Sequence, residues 1–256
     1  MRIALYQMEV VPGNPHRAME KIEAWIKTLS QIDIVVLPEM WNTSYTLTRL
    51  HELTDDEGER EIRFLQKMAK QHALHIVGGS IAVKSNGQHY NRSIIIDQQG
   101  EIIYQYDKIH LVPMLNEPDY LAAGHQFSTF ELMNEKMGII ICYDLRFPEL
   151  SRHLALDGAE IIYVVAEWPM ERMAHFMALL KARAVENQCY IVACNTVGEC
   201  EGTQFGGGSM IIDPGGEVLA QADAHEETVI VQVDIKQSEA IRQAIPVFKS
   251  RRTDLY

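Results

Sequence analysis

SIIIDQQGEIIYQYD (residues 93–107) and SMIIDPGGEVLAQAD (residues 209–223) align without a gap and share eight of fifteen positions. In each, an apolar run meets a turn carrying Asp and Gly and resumes as a second run, which is the pattern of a hairpin. Two readings follow. Both stretches are hairpins with a common turn grammar, or the chain is a two-fold pseudo-repeat. On the second reading each half runs strand–helix–strand–helix–strand and then a hairpin. The class is then α/β, a four-layer α-β-β-α sandwich of two mixed sheets with helices on the outer faces. A doubly wound dinucleotide fold fits less well. No GxGxxG follows the first strand, and the hairpins break the βαβ alternation.

The flanking sequence supplies the elements such halves need. Strands are expected at 2–7, 33–37, 74–82, 92–96 and 101–106, then at 128–132, 137–141, 160–165, 190–196, 209–212, 217–222 and 228–234. Asn14 and Pro15 open a helix whose apolar residues Ala18, Ile22, Trp25, Ile26 and Leu29 recur at helical spacing. Further helices are expected at 59–72, after Cys142 as far as Asp157-Gly158, and at 171–187. Residues 40–56, with Trp41, Thr43 and Tyr45, read as a loop over a site, and residues 107–127 read as irregular.

The chain has 256 residues and is 47% hydrophobic, enough for one large core, and we read residues 1–256 as a single domain. Its formal net charge is -12, and no basic cluster exceeds Arg251-Arg252, so nucleic acid and anionic membranes are poor partners. The N-terminal MRIALYQMEV reads as a strand, and no apolar run approaches the ~18 residues of a membrane span. The cysteines Cys142, Cys189, Cys194 and Cys200 form no CxxC pair, which speaks against a zinc site. Reduced thiols and a cytoplasmic location are expected.

Residues 137–149, MGIIICYDLRFPE, carry the chemistry. A buried strand stops at Cys142, Asp144 is placed to cap a helix, and Pro148 falls in that helix's first turn. A cysteine on such a turn is either a small core residue or a nucleophile. As a nucleophile its pKa would be lowered by the helix N-terminus. Glu39, in VVLPEMW, also ends a buried strand, where a carboxylate is costly unless paired or used as a base. Lys108, in YDKIHL, lies just past another strand and could stabilise an oxyanion, or simply face water. Glu117 lies in the irregular stretch and is the weakest of the four.

Nearly the whole chain resembles the nitrilase, or carbon–nitrogen hydrolase, superfamily. The matching pieces are LPE around Glu39, DKIHL around Lys108, GIIICYDLRFPE around Cys142, ARAVENQ at 182–188, and SMIIDPGGEV. Glu117 stands seven residues before Gly124, the spacing of the family's additional glutamate. The resemblance implies the four-layer sandwich and a Glu39–Lys108–Cys142 triad with Glu117 in support. It implies an oxyanion hole from Lys108 and the Tyr143 N–H, a thioester intermediate, water as second substrate, and neither metal nor organic cofactor. CYDLRFPE, VVAEWP and ARAVENQCY look most like bacterial omega-amidases, which release ammonia from 2-oxoglutaramate or 2-oxosuccinamate.

An oxo-acid amide needs a cationic anchor. Arg172, Arg49 and His175 are the candidates, while Arg146 and Arg183 are expected in structural ion pairs. Glu167, Trp168 and Met170 are expected to wall the pocket, together with Tyr45. The resemblance also suggests a homodimer through the helix after Cys142 and the helix at 171–187, where Leu150, Leu154, Phe176 and Leu180 suit an interface or the core. Alternatives are a nitrilase, an N-carbamoyl amide hydrolase, or an inactive regulatory member.

Overall fold

The structure, a computed structural model, describes residues 1–255. Its strands in chain order are β1 (Arg2–Gln7), β2 (Ile34–Val36), β3 (His75–Val77), β4 (Ile81–Ser85), β5 (Gln88–Ile96), β6 (Ile102–Asp107), β7 (Phe130–Leu132), β8 (Glu135–Ile141), β9 (Ile161–Val165), β10 (Tyr190–Cys194), β11 (Val197–Cys200), β12 (Thr203–Gly206), β13 (Met210–Ile212), β14 (Val218–Gln221) and β15 (Glu227–Gln232). The α-helices are α1 (Pro15–Ile26), α2 (Leu50–Leu53), α3 (Glu59–His72), α4 (Glu117–Tyr120), α5 (Pro148–Leu156), α6 (Met173–Asn187) and α7 (Lys236–Ala244).

Two mixed sheets result. The first runs β15-β1-β2-β3-β5-β4 with β6 also on β5, and the second runs β14-β13-β10-β9-β8-β7. The correspondence is strand by strand. β1-β2-β3 are mutually parallel, and so are β8-β9-β10. Each trio is flanked by an antiparallel strand on one side and an antiparallel hairpin on the other. The hairpin turns repeat in detail. Asp97 Oδ1 accepts from the Gln99 and Glu101 N–H groups, and Asp213 Oδ1 accepts from those of Gly215 and Glu217. Both hairpins also carry a register shift at the same point, Ile95/Ile96 and Ile211/Ile212. Common turn grammar and a two-fold repeat are therefore both true.

Side-chain alternation builds the layers. Ile3, Leu5, Ile34, Val36, Val77 and Ile95 of the first sheet join Ile139, Ile141 and Val165 of the second in one buried cluster. Their neighbours Ala4, Tyr6, Val35, Ile76 and Ile94 point the other way and meet Ala18, Ile22 and Ile26 of α1 and Leu65, Met68 and Ala69 of α3. Each fully buried large aliphatic side chain contributes roughly 1.5–3 kcal/mol of transfer free energy, so this alternation holds the register. Leu150 and Leu154 of α5 and Phe176 and Leu180 of α6 belong to the chain's own core. Asn14 caps α1 as expected, its Oδ1 accepting from the Arg17 N–H at 3.1 Å.

Three local expectations change. The strand expected at 74–82 is two strands, because Gly79 takes φ +62° and turns the chain between β3 and β4. A Cβ there would stand 2.0 Å from the Pro38 carbonyl, so only glycine lets this turn pass the start of the Glu39 loop. The β4–β5 and β11–β12 pairings were not foreseen. Within 107–127, the turn Pro113–Leu115 and α4 give order to the stretch read as irregular. Among the described residues, no helix is long and apolar enough to cross a membrane.

Candidate active site

Four strand ends deliver four side chains to one enclosed place between the sheets. Glu39 follows β2, Lys108 follows β6, Cys142 follows β8 and Glu167 follows β9. Glu39, Lys108 and Glu117 are fully buried, and Cys142 and Glu167 nearly so. Lys108 Nζ donates to Glu39 Oε1 at 2.8 Å and to Glu117 Oε1 at 2.7 Å. Tyr45 OH donates to the same two oxygens, at 3.2 Å and 2.8 Å. Asn91 Nδ2 adds a 2.8 Å bond to Glu39 Oε1, and the Glu167 N–H holds Glu39 Oε2 at 2.8 Å. The Cys142 thiol lies beside the Glu39 carboxylate, close enough for that carboxylate to act on its ionisation.

Glu117 reaches the cluster because its Oε2 accepts from the Val112 N–H at 2.6 Å, which folds the 112–117 loop back on itself. Gly124 closes that loop. Its N–H donates to the Lys108 carbonyl at 2.9 Å, and a Cβ there would stand 2.1 Å from the Asp107 carbonyl. The E-x6-G spacing is thus the length of chain that returns to press against Lys108.

Cys142 has φ +47°, a left-handed conformation that non-glycine residues avoid and that holds the sulfur on a sharp turn. The chain continues as a 3-10 turn, Cys142–Arg146, before α5. Asp144 does not cap α5, contrary to expectation. Its carboxylate turns inward to accept from the Ile141 N–H, Tyr106 OH and the His110 N–H, with His110 Nδ1 at 2.8 Å. One buried carboxylate therefore pins the cysteine turn to the segment that follows Lys108.

The expectation of a lowered thiol pKa is reversed. Burial pushes the Cys142 thiol well above its ordinary value and the Glu39 carboxylate adds to the rise, with Lys108 only partly opposing them. The helix that was to lower it begins only at Pro148, a full 3-10 turn later. Lys108 goes well above its ordinary value. Burial opposes its charge, and the Glu117 and Glu39 carboxylates outweigh that burial. Such a cluster keeps the thiol neutral at rest, with a carboxylate in place to take its proton and an ammonium in place to meet a developing negative charge.

A small pocket opens over Cys142, walled by Tyr143, Arg146, Trp168, Pro169 and Arg172 on one side and by Val112, Met114 and Leu115 on the other. Its free space is about 20 Å³, room for roughly one water. Larger hollows of 350–480 Å³ lie elsewhere on the surface, and no member of the cluster lines them. Trp168 and Arg172 are pocket residues, and Tyr45 and Glu167 belong to the cluster beneath. Met170 instead borders a separate groove beside Gly202 and Thr203. Arg49, ending the 3-10 turn Leu47–Arg49, pairs at 3.2 Å with Glu52 of α2 on the exposed surface, and His175 is exposed on α6, so neither lines the pocket.

Arg183 makes the expected ion pair, with Glu186 at 2.9 Å. Arg146 does not. Its guanidinium lies 4.7 Å from the Trp168 ring and 5.8 Å from that of Tyr143, with no acidic partner among the described residues. Arg172 pairs with Glu171 at 2.8 Å, which leaves Arg146 as the pocket cation without a carboxylate of its own. Its position four residues after the cysteine, on the turn that leaves the pocket floor, is the signal that could have found it.

These features can be set against known proteins. The carbon–nitrogen hydrolase family pattern matches residues 2–243. The 2-oxoglutaramate amidase of Bacillus subtilis is 43% identical over 99% of this chain and 98% of its own length. The omega-amidase NIT2 of Mus musculus is 31% identical, over 100% and 96%. The crystal structure of Saccharomyces cerevisiae Nit3, a member of branch 10 of the nitrilase superfamily, superposes with a TM-score of 0.88 at 30% identity, covering 98% of this chain and 96% of that one. With its paired two-layered halves, its buried Glu–Lys–Glu cluster and its cysteine turn, the chain belongs to the carbon–nitrogen hydrolase family of the nitrilase superfamily.

Proposed function

We propose that this protein hydrolyses the terminal carboxamide of a small 2-oxo acid, of the 2-oxoglutaramate or 2-oxosuccinamate type, to the oxo-acid and ammonia. The observation that carries the reading is the pairing, in one pocket, of the Cys142–Glu39–Lys108 cluster with an Arg146 guanidinium that lacks a carboxylate. Relatives named for 2-oxoglutaramate and omega-amide hydrolysis support the substrate class.

In this reading Glu39 takes the thiol proton as Cys142 attacks the amide carbonyl. The oxyanion is held by the Lys108 ammonium and the Tyr143 N–H, and one such donor is worth about 2.7–4 kcal/mol of barrier. Protonated Glu39 passes its proton to the leaving nitrogen, and ammonia departs from a Cys142 thioester. Glu39 then takes a proton from water, which attacks the thioester and releases the acid. Glu117 fixes Lys108 throughout. The substrate's far carboxylate lies against Arg146, with Trp168 as a wall. A five-carbon substrate needs more room than one water, so binding displaces the exposed Met114 on the Pro113–Leu115 turn.

Ammonia release from 2-oxoglutaramate, compared with a neutral amide of equal length, tests the proposal. Equal kcat/KM for the two would overturn the anionic substrate class. Turnover of a nitrile or an N-carbamoyl amide in place of both would move the assignment to those alternatives. The reading includes a cytoplasmic homodimer joined through exposed faces of α5 and α6, which sedimentation at working concentration tests.

A further inference from the structure

The two-fold repeat places a second glutamate in the site. β2 and β9 hold equivalent positions in their sheets, and each ends in a buried glutamate, Glu39 and Glu167. The two are joined directly, since the Glu167 N–H donates to Glu39 Oε2 at 2.8 Å. The Glu167 carboxyl is held from the other side, where Ser44 Oγ donates to its Oε2 at 2.9 Å. Its Oε1 is buried and has no hydrogen-bond partner among the described residues.

A buried carboxylate with one oxygen unpaired, beside two other carboxylates, is a costly object. As a neutral acid it is not. With the proton on Oε1, Oε2 keeps its bond from Ser44 and the cluster loses one negative charge. The groups that face it are Glu39 after β2, Tyr45 beside Ser44, Lys108 after β6, Glu117 on α4 and Cys200 on β11. Lys108 is the one cation among them, against three glutamates.

We propose that Glu167 is a positioning residue for Glu39, an uncharged carboxyl whose strand end fixes the base's second oxygen while its proton keeps a further negative charge out of the pocket. Burial first, and then the Glu39 carboxylate, push Glu167 well above the usual carboxylate range, in keeping with that state. The inference rests on the reading of Glu39 as the base. It adds a consequence for pH. When Glu167 ionises, the new charge next to Glu39 opposes both the thiolate and the oxyanion, so the rate falls on the alkaline side. Lys108, Tyr45 and Cys142 are themselves held above their ordinary values, so they titrate later than in water.

The test compares Glu167→Gln and Glu167→Ala in the full chain. Two readouts are taken against pH: kcat/KM for 2-oxoglutaramate, and the rate at which iodoacetamide alkylates Cys142, located by mass spectrometry. The alanine variant leaves Ser44 without its acceptor and is expected to lower kcat/KM at neutral pH by roughly tenfold, the effect of one lost buried hydrogen bond. Glutamine, isosteric and neutral, restores most of that loss and moves the alkaline fall of kcat/KM to higher pH. An alkaline limb unchanged in the glutamine variant overturns the proposal. So does an alanine variant, folded by circular dichroism, that matches glutamine at every pH. If no amide is turned over by the parent protein, the function proposed above fails. The alkylation profiles then decide this inference separately: identical profiles in parent and glutamine variant reject it, and a glutamine profile displaced from the parent's sustains it.

Discussion

Lys108 Nζ lies 2.8 Å from Glu39 Oε1, with both side chains wholly shut away from solvent. Taking two charges out of water costs several kcal/mol per ion even after relaxation, and here Glu117 completes the pairing at 2.7 Å. Breaking that set is therefore expected to cost both stability and rate.

Lys108→Met strands the Glu39 and Glu117 carboxylates and is expected to destabilise the fold by about 3–5 kcal/mol, read from denaturant unfolding. Activity at saturating amide should fall by at least about 10²-fold through loss of the oxyanion donor. The pH dependence has a definite sign. Lys108 is raised in the fold, so its contribution is full below the unfolded value of about 10.4 and declines as pH rises above it. A variant as stable and as active as the parent would contradict the charge balance described.

Arg146→Met removes the unpartnered pocket cation. A charge-assisted hydrogen bond is worth about 1.5–3 kcal/mol, so KM for an anionic amide should rise by roughly 10–100-fold, with a small change for a neutral amide. Arg172→Met, whose guanidinium already pairs with Glu171, should change KM much less. The reverse ranking in steady-state kinetics would transfer the anchor to Arg172.

Cys142 is held neutral by burial and by Glu39, so its thiolate fraction keeps growing with pH beyond the point where a free thiol of pKa about 8.5 levels off. Alkylation by iodoacetamide should still be accelerating at about pH 10, where a free thiol is almost wholly ionised. A plateau near neutral pH would show a thiolate already formed at rest.

Gly79→Ala forces a Cβ to within 2.0 Å of the Pro38 carbonyl at a backbone angle that L side chains avoid. The strained position alone costs on the order of 1–3 kcal/mol, and the clash bears on the residue before Glu39. Loss of both melting temperature and activity is expected. Gly87→Ala is the control. Its added Cβ meets nothing within 4 Å, and it too has positive φ, so it isolates backbone strain from the clash.

The sequence by itself determined the layers and the membership of the cluster. Continuous apolar runs such as Ile3–Tyr6 mark strands buried on both faces, as the inner strands of a layered sandwich must be, and the Asp–Gly turns of the two hairpins are local chemistry that reads directly from the residues. Glu39, Lys108, Cys142 and Glu117 were legible because each sits at a motif of fixed spacing. What the tertiary structure decided were properties of space shared by distant segments. The cation near the pocket is Arg146 and not Arg49 or His175, because ion-pair partners and exposure depend on neighbours that no spacing reports. The thiol is pushed up and not down, because desolvation by two packed sheets outweighs a helix end one turn away. Asp144 looked like a cap and became a tie between two loops for the same reason. A carboxylate goes where the most unpaired N–H and O–H donors converge, and only the folded chain brings Ile141, Tyr106 and His110 together.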